Sequence, residues 1–156
     1  TELETEPLNL YGMAYTCVEM LRINAEPEGI RLDITGGTAW IEGNRSMIEE
    51  VLYNLCSNAI RYNKSNGSVE VHVAETTEGA ILRVSDTGIG IPKKHQDRIF
   101  ERFYRVDKSR SKERGGTGLG LAIVKHIVAE HHASISLESE EGEGTVITVQ
   151  FPKINK

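Results

Sequence analysis

The sequence predicts an α+β fold, a two-layer α/β sandwich, and three observations lead to that prediction. Three long stretches repeat apolar residues at helical spacing. Shorter stretches alternate apolar and polar residues and come in pairs joined by turns, which is typical of antiparallel hairpins. The chain has 156 residues, enough for one domain with a real core and too few for two comfortable ones. We therefore expect a single domain over residues 1–156.

The predicted elements follow from periodicity and from the residues that interrupt it. The three main helices are expected over residues 11–24, 46–62 and 119–131. The strands are expected over residues 30–34, 39–42, 68–74, 80–85, 134–139 and 145–151. Turns are expected at Pro27 to Gly29, at Gly36-Gly37, at Glu78-Gly79 and around the EGEG sequence. The predicted count is five to seven strands.

Composition excludes some classes of function. Hydrophobic residues make up 38% and charged residues 26%, which is typical of a soluble globular protein. No apolar run approaches the roughly 18 residues that a membrane-spanning helix needs, and the formal charge of -5 argues against a nucleic-acid binder. Cys17 and Cys56 lie among apolar neighbours and are expected to be buried free thiols in a reducing compartment. The chain begins without Met or a signal peptide, so we expect a fragment of a longer protein.

The second predicted helix carries an unusual polar edge. Asn54, Asn58 and Arg61 lie along one side of its apolar face. Asn is unfavourable inside a helix because its side chain competes for backbone hydrogen bonds. Amide oxygens at i and i+4 suit a hard cation such as Mg²⁺. The alternative is that both are solvent-facing or capping-type amides.

A carboxylate precedes a glycine-rich loop in the sequence SDTGIGIP, which begins at Ser85. Asp86 is either a simple turn former or a buried hydrogen-bond acceptor. A buried carboxylate would favour adenine, whose exocyclic amine donates, and would repel the carbonyl of guanine.

The sequence GGTGLGLAIV, which begins at Gly115, places glycines directly before a helix. Such glycines let backbone N–H groups turn toward an anion, and the helix N-terminus adds its positive dipole end. A Rossmann loop is disfavoured because a charged stretch, and no strand, precedes these glycines. A phosphate is the expected ligand.

A polar, basic segment that holds Ile99, Phe100, Phe103 and Tyr104 joins the two glycine clusters. It predicts a lid over about residues 93–116 that is mobile without nucleotide, with a solvated surface loop as the alternative. Six basic residues there are available to phosphates: Arg102, Arg105, Lys108, Arg110, Lys112 and Arg114. The five histidines are expected to be ordinary surface or boundary residues: His72, His95, His126, His131 and His132.

In this order, the motifs resemble those of the catalytic ATP-binding domain of sensor histidine kinases of two-component systems. NLCSNAIRYN resembles the N box, DTGIGIP the G1 box, IFERFYR the F box and GGTGLGLAIV the G2 box, while EGEGT resembles the last glycine motif. The resemblance covers essentially the whole chain. It implies the Bergerat fold of the gyrase, Hsp90, histidine kinase and MutL (GHKL) superfamily. In that fold, helices cover one face of a mixed, mostly antiparallel sheet and ATP lies under the lid.

The resemblance also implies a role for individual residues. Asn58 would be the principal Mg²⁺ ligand, with Asn54 assisting directly or through water. Arg61 and Arg105 would approach the phosphates, and Phe100 and Phe103 would anchor the lid. The remaining residues expected to bind the nucleotide are Tyr62, Asp86, Gly88, Gly90 and Thr145 around the base, and Lys108, Gly116, Thr117, Gly118, Leu119 and Gly120 near the phosphates.

Three departures from the family pattern shape the expected function. Hydrolysing relatives have a glutamate where this chain has Asn54, and an amide cannot act as a general base. We therefore expect phosphoryl transfer to be favoured over rapid hydrolysis. None of the five histidines precedes Asp or Glu, so the acceptor histidine is expected on a separate dimerisation domain, and residues 1–10 resemble the junction that follows it. His131-His132-Ala133 stands where relatives usually have a glycine-containing turn.

The expected activity is therefore ATP-dependent transfer of the γ-phosphoryl group to that histidine, for relay to an aspartate of a response regulator. The resemblance implies a monomeric cytoplasmic domain of a dimeric parent anchored in the cell membrane. Two alternatives remain: a module that binds ATP to change partners without transferring phosphate, and a serine kinase of the anti-sigma type. Only a kinase would label an added acceptor domain, which distinguishes it from the binding module. Phosphohistidine is acid-labile and phosphoserine is acid-stable, which distinguishes a histidine kinase from a serine kinase.

Overall fold

The computed structural model describes residues 3–101 and 120–154, and within them the two-layer α+β prediction is confirmed. The helices are α1 (Leu10–Ala25), α2 (Arg45–Arg61), α3 (Lys93–Gln96) and α4 (Gly120–Glu130), with a 3-10 turn at Glu26–Glu28. The strands are β1 (Glu6–Asn9), β2 (Arg31–Gly36), β3 (Trp40–Gly43), β4 (Ser68–Thr76), β5 (Gly79–Asp86), β6 (Ser134–Glu140) and β7 (Gly144–Pro152). The three main predicted helices correspond to α1, α2 and α4.

The strands form two sheets. The larger has the order β2-β4-β5-β7-β6, in which β2 and β4 are parallel and the other neighbours are antiparallel. The smaller pairs β1 with β3. The β5–β7 register places Asp86 opposite Thr145, and the β6–β7 register places Ser139 opposite the same threonine. Three residues that bear on the candidate site therefore meet at one end of the sheet.

The core lies between the helices and one face of the large sheet. Inward-facing residues of the strands alternate with polar outward-facing ones, as a half-buried sheet requires. The fully buried side chains of this core include Val18, Leu52, Leu55, Val69, Leu82 and Phe151. Burial of side chains of this size contributes about 1.5–3 kcal/mol each before the entropy of ordering is counted.

Helices α1 and α2 begin at asparagine caps. The Asn9 side chain accepts a hydrogen bond from the Gly12 N–H, and the Asn44 side chain accepts one from the Met47 N–H at 3.1 Å. Cys17 of α1 and Cys56 of α2 are both buried and free, as expected, and each thiol shifts the pKa of the other. This places the two helices side by side under the sheet.

Strand β1 was not predicted, because residues 1–10 resemble an interdomain junction. In the structure, Leu8 and Leu10 are fully buried, and the Leu10 N–H donates to the Ala39 carbonyl at 2.8 Å. Four residues that include a proline carry too little periodicity to indicate a strand. Pairing with β3 and burial of the two leucines stabilise this strand, and neither contact can be predicted from the local sequence.

Two smaller predictions are corrected. The hairpin between β4 and β5 turns at Thr77-Glu78, one residue earlier than expected, because Gly79 already belongs to β5 with a φ of 145°. His131 was expected near the surface, but it is only 5% exposed. No helix within the described residues is long and apolar enough to cross a membrane.

Candidate functional site

Asp86 ends strand β5 with its carboxylate held by backbone donors. Its Oδ1 accepts hydrogen bonds from the Gly88 N–H at 2.9 Å and the Thr145 N–H at 3.2 Å. Burial raises the pKa of the Asp86 carboxyl to about 6, although both N–H donors oppose this rise by favouring the charged form. Both of these donors bind Oδ1, and an ionised carboxylate has about four lone-pair sites, so Asp86 can accept a further donor from a ligand.

The loop after Asp86, residues 87–92, fits only with glycine at two of its positions. A Cβ on Gly88 would lie 2.5 Å from the Tyr62 carbonyl oxygen and 2.9 Å from Asp86 Oδ1. Gly90 has a φ of 69°, in the left-handed region, and a Cβ there would collide with the Glu140 carbonyl. These glycines let the loop approach the end of α2 on one side and the end of β6 on the other.

Tyr62 joins this loop to α2 through its backbone. The Ile89 N–H donates to the Tyr62 carbonyl at 3.1 Å. Tyr62 follows α2 directly, so the loop is attached about one helical turn beyond Asn58. The Tyr62 side chain is half-buried, and its predicted packing against adenine stays a prediction.

The polar edge of α2 lies as the sequence predicted, with Asn54, Asn58 and Arg61 all half-buried. The Asn54 Nδ2 donates to the Glu50 carbonyl at 2.8 Å, which turns its Oδ1 away from its own helix backbone. Arg61 Nη1 donates to Asn58 Oδ1 at 2.9 Å. The guanidinium therefore orients the amide that was predicted to bind Mg²⁺.

Gly120 brings the start of α4 against these two amides. A Cβ at Gly120 would lie 3.0 Å from Asn54 Oδ1 and 3.6 Å from Asn58 Nδ2. Such contacts are close, so a larger residue would displace the asparagine side chains. The two amides and the first described residue of α4 thus form one cluster, hereafter the amide cluster.

Several predicted site residues lie outside the described residues. These are Phe103, Arg105, Lys108, Gly116, Thr117, Gly118 and Leu119. Of the predicted lid, the described part contains α3 and residues 97–101, in which Ile99 is buried and Phe100 is half-buried. The roles proposed for the other lid residues stay predictions.

Three contributors to this site were missed by the sequence analysis. Asn63 is only 1% exposed, and its Nδ2 donates to the Ser68 carbonyl at 3.0 Å. Ser139 Oγ accepts from the Ile91 N–H at 2.8 Å. Gln96 Nε2 donates to the carbonyls of Ile91 and Ser139 at 2.8 and 3.1 Å. Of the three, only Asn63 could have been identified from the sequence, because it is the last residue of the motif NLCSNAIRYN.

His131 has a structural role. Its Nδ1 lies 2.8 Å from the Ile127 carbonyl, which can only accept, so Nδ1 carries the hydrogen. Nε2 then accepts from the Asn44 N–H at 3.0 Å. The histidine thereby fastens the end of α4 to the beginning of α2. Among the described residues, no group of three or more His, Cys, Asp or Glu side chains could hold a metal ion.

A separate cavity of about 400 Å³ lies between α1 and α2. It is lined by Leu21, Asn24, Glu28, Tyr53, Ser57, Ile60 and Arg61. Asp86, Asn58 and Gly120 do not line it, so the constellation of predicted residues, and not this cavity, defines the candidate site.

Comparison with known proteins identifies the family. The family described as histidine kinase-, DNA gyrase B- and HSP90-like ATPase matches residues 43–155. The chain is 45% identical over 151 residues to the sensor-like histidine kinase SenX3 of Mycolicibacterium smegmatis, covering 96% of this chain and 39% of that protein. It is 46% identical over 115 residues to the sensor histidine kinase WalK of Bacillus subtilis, covering 72% and 19% respectively. The chain thus spans well under half the length of these relatives.

Solved structures agree with this assignment. The nucleotide-free catalytic domain of histidine kinase ThkA matches with a TM-score of 0.84 and 26% identity, covering 97% of each chain. Full-length ShkA in complex with AMPPNP matches with a TM-score of 0.84 and 25% identity, covering all of this chain and 33% of that one. This chain therefore belongs to the histidine kinase-, DNA gyrase B- and HSP90-like ATPase family, as the ATP-binding catalytic domain of a sensor histidine kinase.

Proposed function

We propose that this domain binds ATP with Mg²⁺ and presents the γ-phosphate to a histidine on a separate dimerisation domain of the same protein. The histidine nitrogen would form a bond to the γ-phosphorus while the bond to the bridging oxygen breaks, and ADP would leave. An aspartate of a response regulator would receive the phosphoryl group next. The observation that carries the proposal is the acceptor-only Asp86 carboxylate, placed by the loop at residues 87–92 beside the helix that bears the amide cluster.

Asp86 would select the base. Its oxygens can accept the exocyclic amine of adenine, whereas the carbonyl of guanine would meet the carboxylate acceptor to acceptor. Gly88 and Gly90 would shape the loop around the base, since neither leaves room for a Cβ. Thr145, whose N–H already holds Asp86, would add a polar contact, and Tyr62 would pack beside the ring.

Asn58 and Asn54 would hold Mg²⁺. The fit is supported by their chemistry: both offer amide oxygens, and the Asn58 oxygen keeps a second lone pair after accepting from Arg61. When bound, Mg²⁺ would neutralise phosphate charge. Neither amide can take a proton from water, so Asn54 favours transfer to a nucleophile that needs no base on this domain.

The N-terminal end of α4 would face the phosphates. Helix N-termini offer free N–H groups and positive dipole charge to anions, and Gly120 admits a close approach next to the amide cluster. Gly116, Thr117, Gly118 and Leu119 would continue this cradle, and Arg61, Arg105 and Lys108 would supply cationic groups. The parent protein would be a membrane-anchored, dimeric sensor, with this domain on its cytoplasmic side.

Calorimetry with a non-hydrolysable ATP analogue and Mg²⁺ tests the binding half of the proposal. We expect adenine-selective binding that Asp86→Asn abolishes, because an amide presents an N–H group as well as an oxygen. Asp33→Asn, which neutralises an exposed carboxylate on β2, is the matched control. A folded wild-type domain that binds neither the ATP nor the GTP analogue would contradict the proposal.

Labelling of a separately prepared acceptor domain tests the transfer half. With radiolabelled ATP, the acceptor histidine should gain an acid-labile phosphate, and an acceptor with that histidine replaced should gain none. Binding without any transfer would instead support a nucleotide-dependent binding module. An acid-stable label would indicate a serine kinase.

A further inference from the structure

The Ser139 hydroxyl lies at the centre of a hydrogen-bond network next to Asp86. Ser139 Oγ accepts from the Ile91 N–H at 2.8 Å, lies 3.0 Å from the Gly144 carbonyl, and lies 2.8 Å from Thr145 Oγ1. These contacts join strand β6, the loop at residues 87–92 and the start of β7.

The donor and acceptor roles in this network follow from the number of hydrogens and lone pairs on each group. A serine hydroxyl has one hydrogen to donate and two lone pairs that accept. The Gly144 carbonyl can only accept, so it takes the Ser139 hydrogen, and the Ile91 N–H takes one lone pair. The remaining contact, to Thr145, must then be a donation from the Thr145 hydroxyl to Ser139.

This arrangement uses the only hydrogen of the Thr145 hydroxyl. The Thr145 oxygen is left with lone pairs, so toward a ligand it can only accept. Thr145 lies opposite Asp86 in the β5–β7 register and donates its N–H to the Asp86 carboxylate. Two acceptor-only groups therefore lie side by side at the end of the sheet.

We infer that Ser139 is a positioning residue that sets base selectivity, because it holds the Thr145 hydroxyl as an acceptor beside Asp86. The preferred base carries a donor amine, as adenine does, and a base with a carbonyl at that position meets two acceptors instead of one. This inference rests on the proposed function and adds to it a residue that touches no part of the nucleotide.

Gln96 of α3 adds two hydrogen bonds to the same network. Its Nε2 donates to the carbonyls of Ile91 and Ser139, so the peptide of Ile91 is held at both its N–H and its carbonyl. Gln96 ends α3, in the described part of the predicted lid. The loop at residues 87–92 is thus fixed to β6 by one serine and one glutamine.

The test compares affinities for non-hydrolysable ATP and GTP analogues in wild type, Ser139→Ala, Thr145→Val and the double variant. Ser139→Ala frees the Thr145 hydroxyl to rotate and donate, so the ATP to GTP affinity ratio should fall roughly tenfold, the value of one hydrogen bond. Thr145→Val should lower the ratio itself, and adding Ser139→Ala should then leave the ratio unchanged. Ser136→Ala, an exposed hydroxyl on the same strand, should behave as wild type.

A purely structural role gives a different result. If Ser139→Ala weakens both analogues by the same factor, or lowers the ratio equally in the Thr145→Val background, the inference is overturned. Ser139→Cys keeps the shape with a weaker acceptor and should give an intermediate ratio, which preserves the test if the alanine variant does not fold. A wild type that binds neither analogue overturns the proposed function as well, whereas a selective wild type with an unchanged ratio in Ser139→Ala overturns the inference alone.

Discussion

At the scale of one residue, ionisation of the Asp86 carboxyl lowers the free energy of unfolding of the domain. The carboxyl has a pKa of about 6 in the folded protein against a reference value of 3.8. Between these values the folded state binds the proton more tightly than the unfolded state does, so the free energy of unfolding falls as the pH rises through this window. Above pH 6 the nucleotide-free domain carries the full cost of ionising this partly buried carboxylate.

Asp86→Asn should therefore stabilise the nucleotide-free domain at pH 7.5. The amide oxygen can accept the same hydrogen bonds from the Gly88 and Thr145 N–H groups, while the ionisation cost disappears. From about 1.4 kcal/mol per pKa unit, and allowing for partial solvent access, we expect a gain of about 1–3 kcal/mol at pH 7.5 that vanishes near pH 4. Urea unfolding at the two pH values measures it.

The exposed carboxylate of Asp33 provides the comparison for this prediction. Asp33 lies on β2 in a solvent-exposed pair with Arg31, so Asp33→Asn should change the free energy of unfolding by less than about 1 kcal/mol at either pH. A gain for Asp86→Asn that is the same at pH 4 and pH 7.5 would show that ionisation is not its cause.

Sequence reasoning singled out Asp86 and the two asparagines as candidates because their local sequences are unusual for ordinary secondary structure. A carboxylate directly before a glycine-rich loop, and two asparagines inside a helix, are not explained by secondary-structure propensity alone. Ser139 and Gln96 were not predicted as contributors to the site, because a serine on a strand and a glutamine in a short helix are common and give no local signal. Their role exists only where β6, β7 and the loop at residues 87–92 meet.

At the scale of elements, the end of α4 shows a backbone conformation that its sequence does not favour. The Ala133 N–H donates to the Val128 carbonyl and the His132 N–H to the Ala129 carbonyl, at 3.0 and 3.1 Å. This is the Schellman arrangement, in which the residue after the helix adopts a left-handed conformation and is usually glycine. His132 occupies that position with a φ of 56°, so a non-glycine side chain sits in a backbone conformation that favours glycine.

His132→Gly should stabilise the domain by about 0.5–1 kcal/mol. Glycine removes the strain of a left-handed side chain, and this gain is larger than the loss from its freer unfolded state. Thermal unfolding with and without the substitution measures the change. Lys125→Gly, at an exposed position inside α4, should instead destabilise by about 1 kcal/mol. Equal effects at the two positions would contradict the assignment of strain to His132.

The elements themselves were predictable where each one carries its own periodicity. Helices α1 and α2 and the four strands of the two hairpins are long enough for the pattern to repeat, and their bounds differ from the prediction by at most two residues. Strand β1 has four residues and forms because Leu8 and Leu10 are buried and β3 is available to pair. Such an element is determined by tertiary contacts, which local sequence does not contain.

At the scale of the whole molecule, the proposed nucleotide site spans both layers. Asp86 and Thr145 belong to the sheet, whereas the amide cluster belongs to α2 and α4. The Ile89 to Tyr62 hydrogen bond attaches the loop after β5 to the end of α2, and the Asn44 to His131 hydrogen bond joins α4 to α2. A ligand that contacts both layers binds only the folded chain, so saturation at 100 times its Kd would stabilise the domain by about 2.7 kcal/mol.

The same linkage predicts that nucleotide binding releases protons near pH 6. Asp86 is about half protonated there in the free domain, and the ionised carboxylate is the stronger acceptor for the adenine amine, so binding favours ionisation. Calorimetric titration with the Mg²⁺ complex of a non-hydrolysable ATP analogue, in two buffers of different ionisation enthalpy, should give a release of roughly half a proton at pH 6 and almost none at pH 8. The titration at pH 8 serves as the control for protons lost elsewhere. Proton uptake at pH 6, or equal release at both pH values, would mean that Asp86 does not bind the base as a carboxylate. In that case the adenine selectivity would need another source within the site.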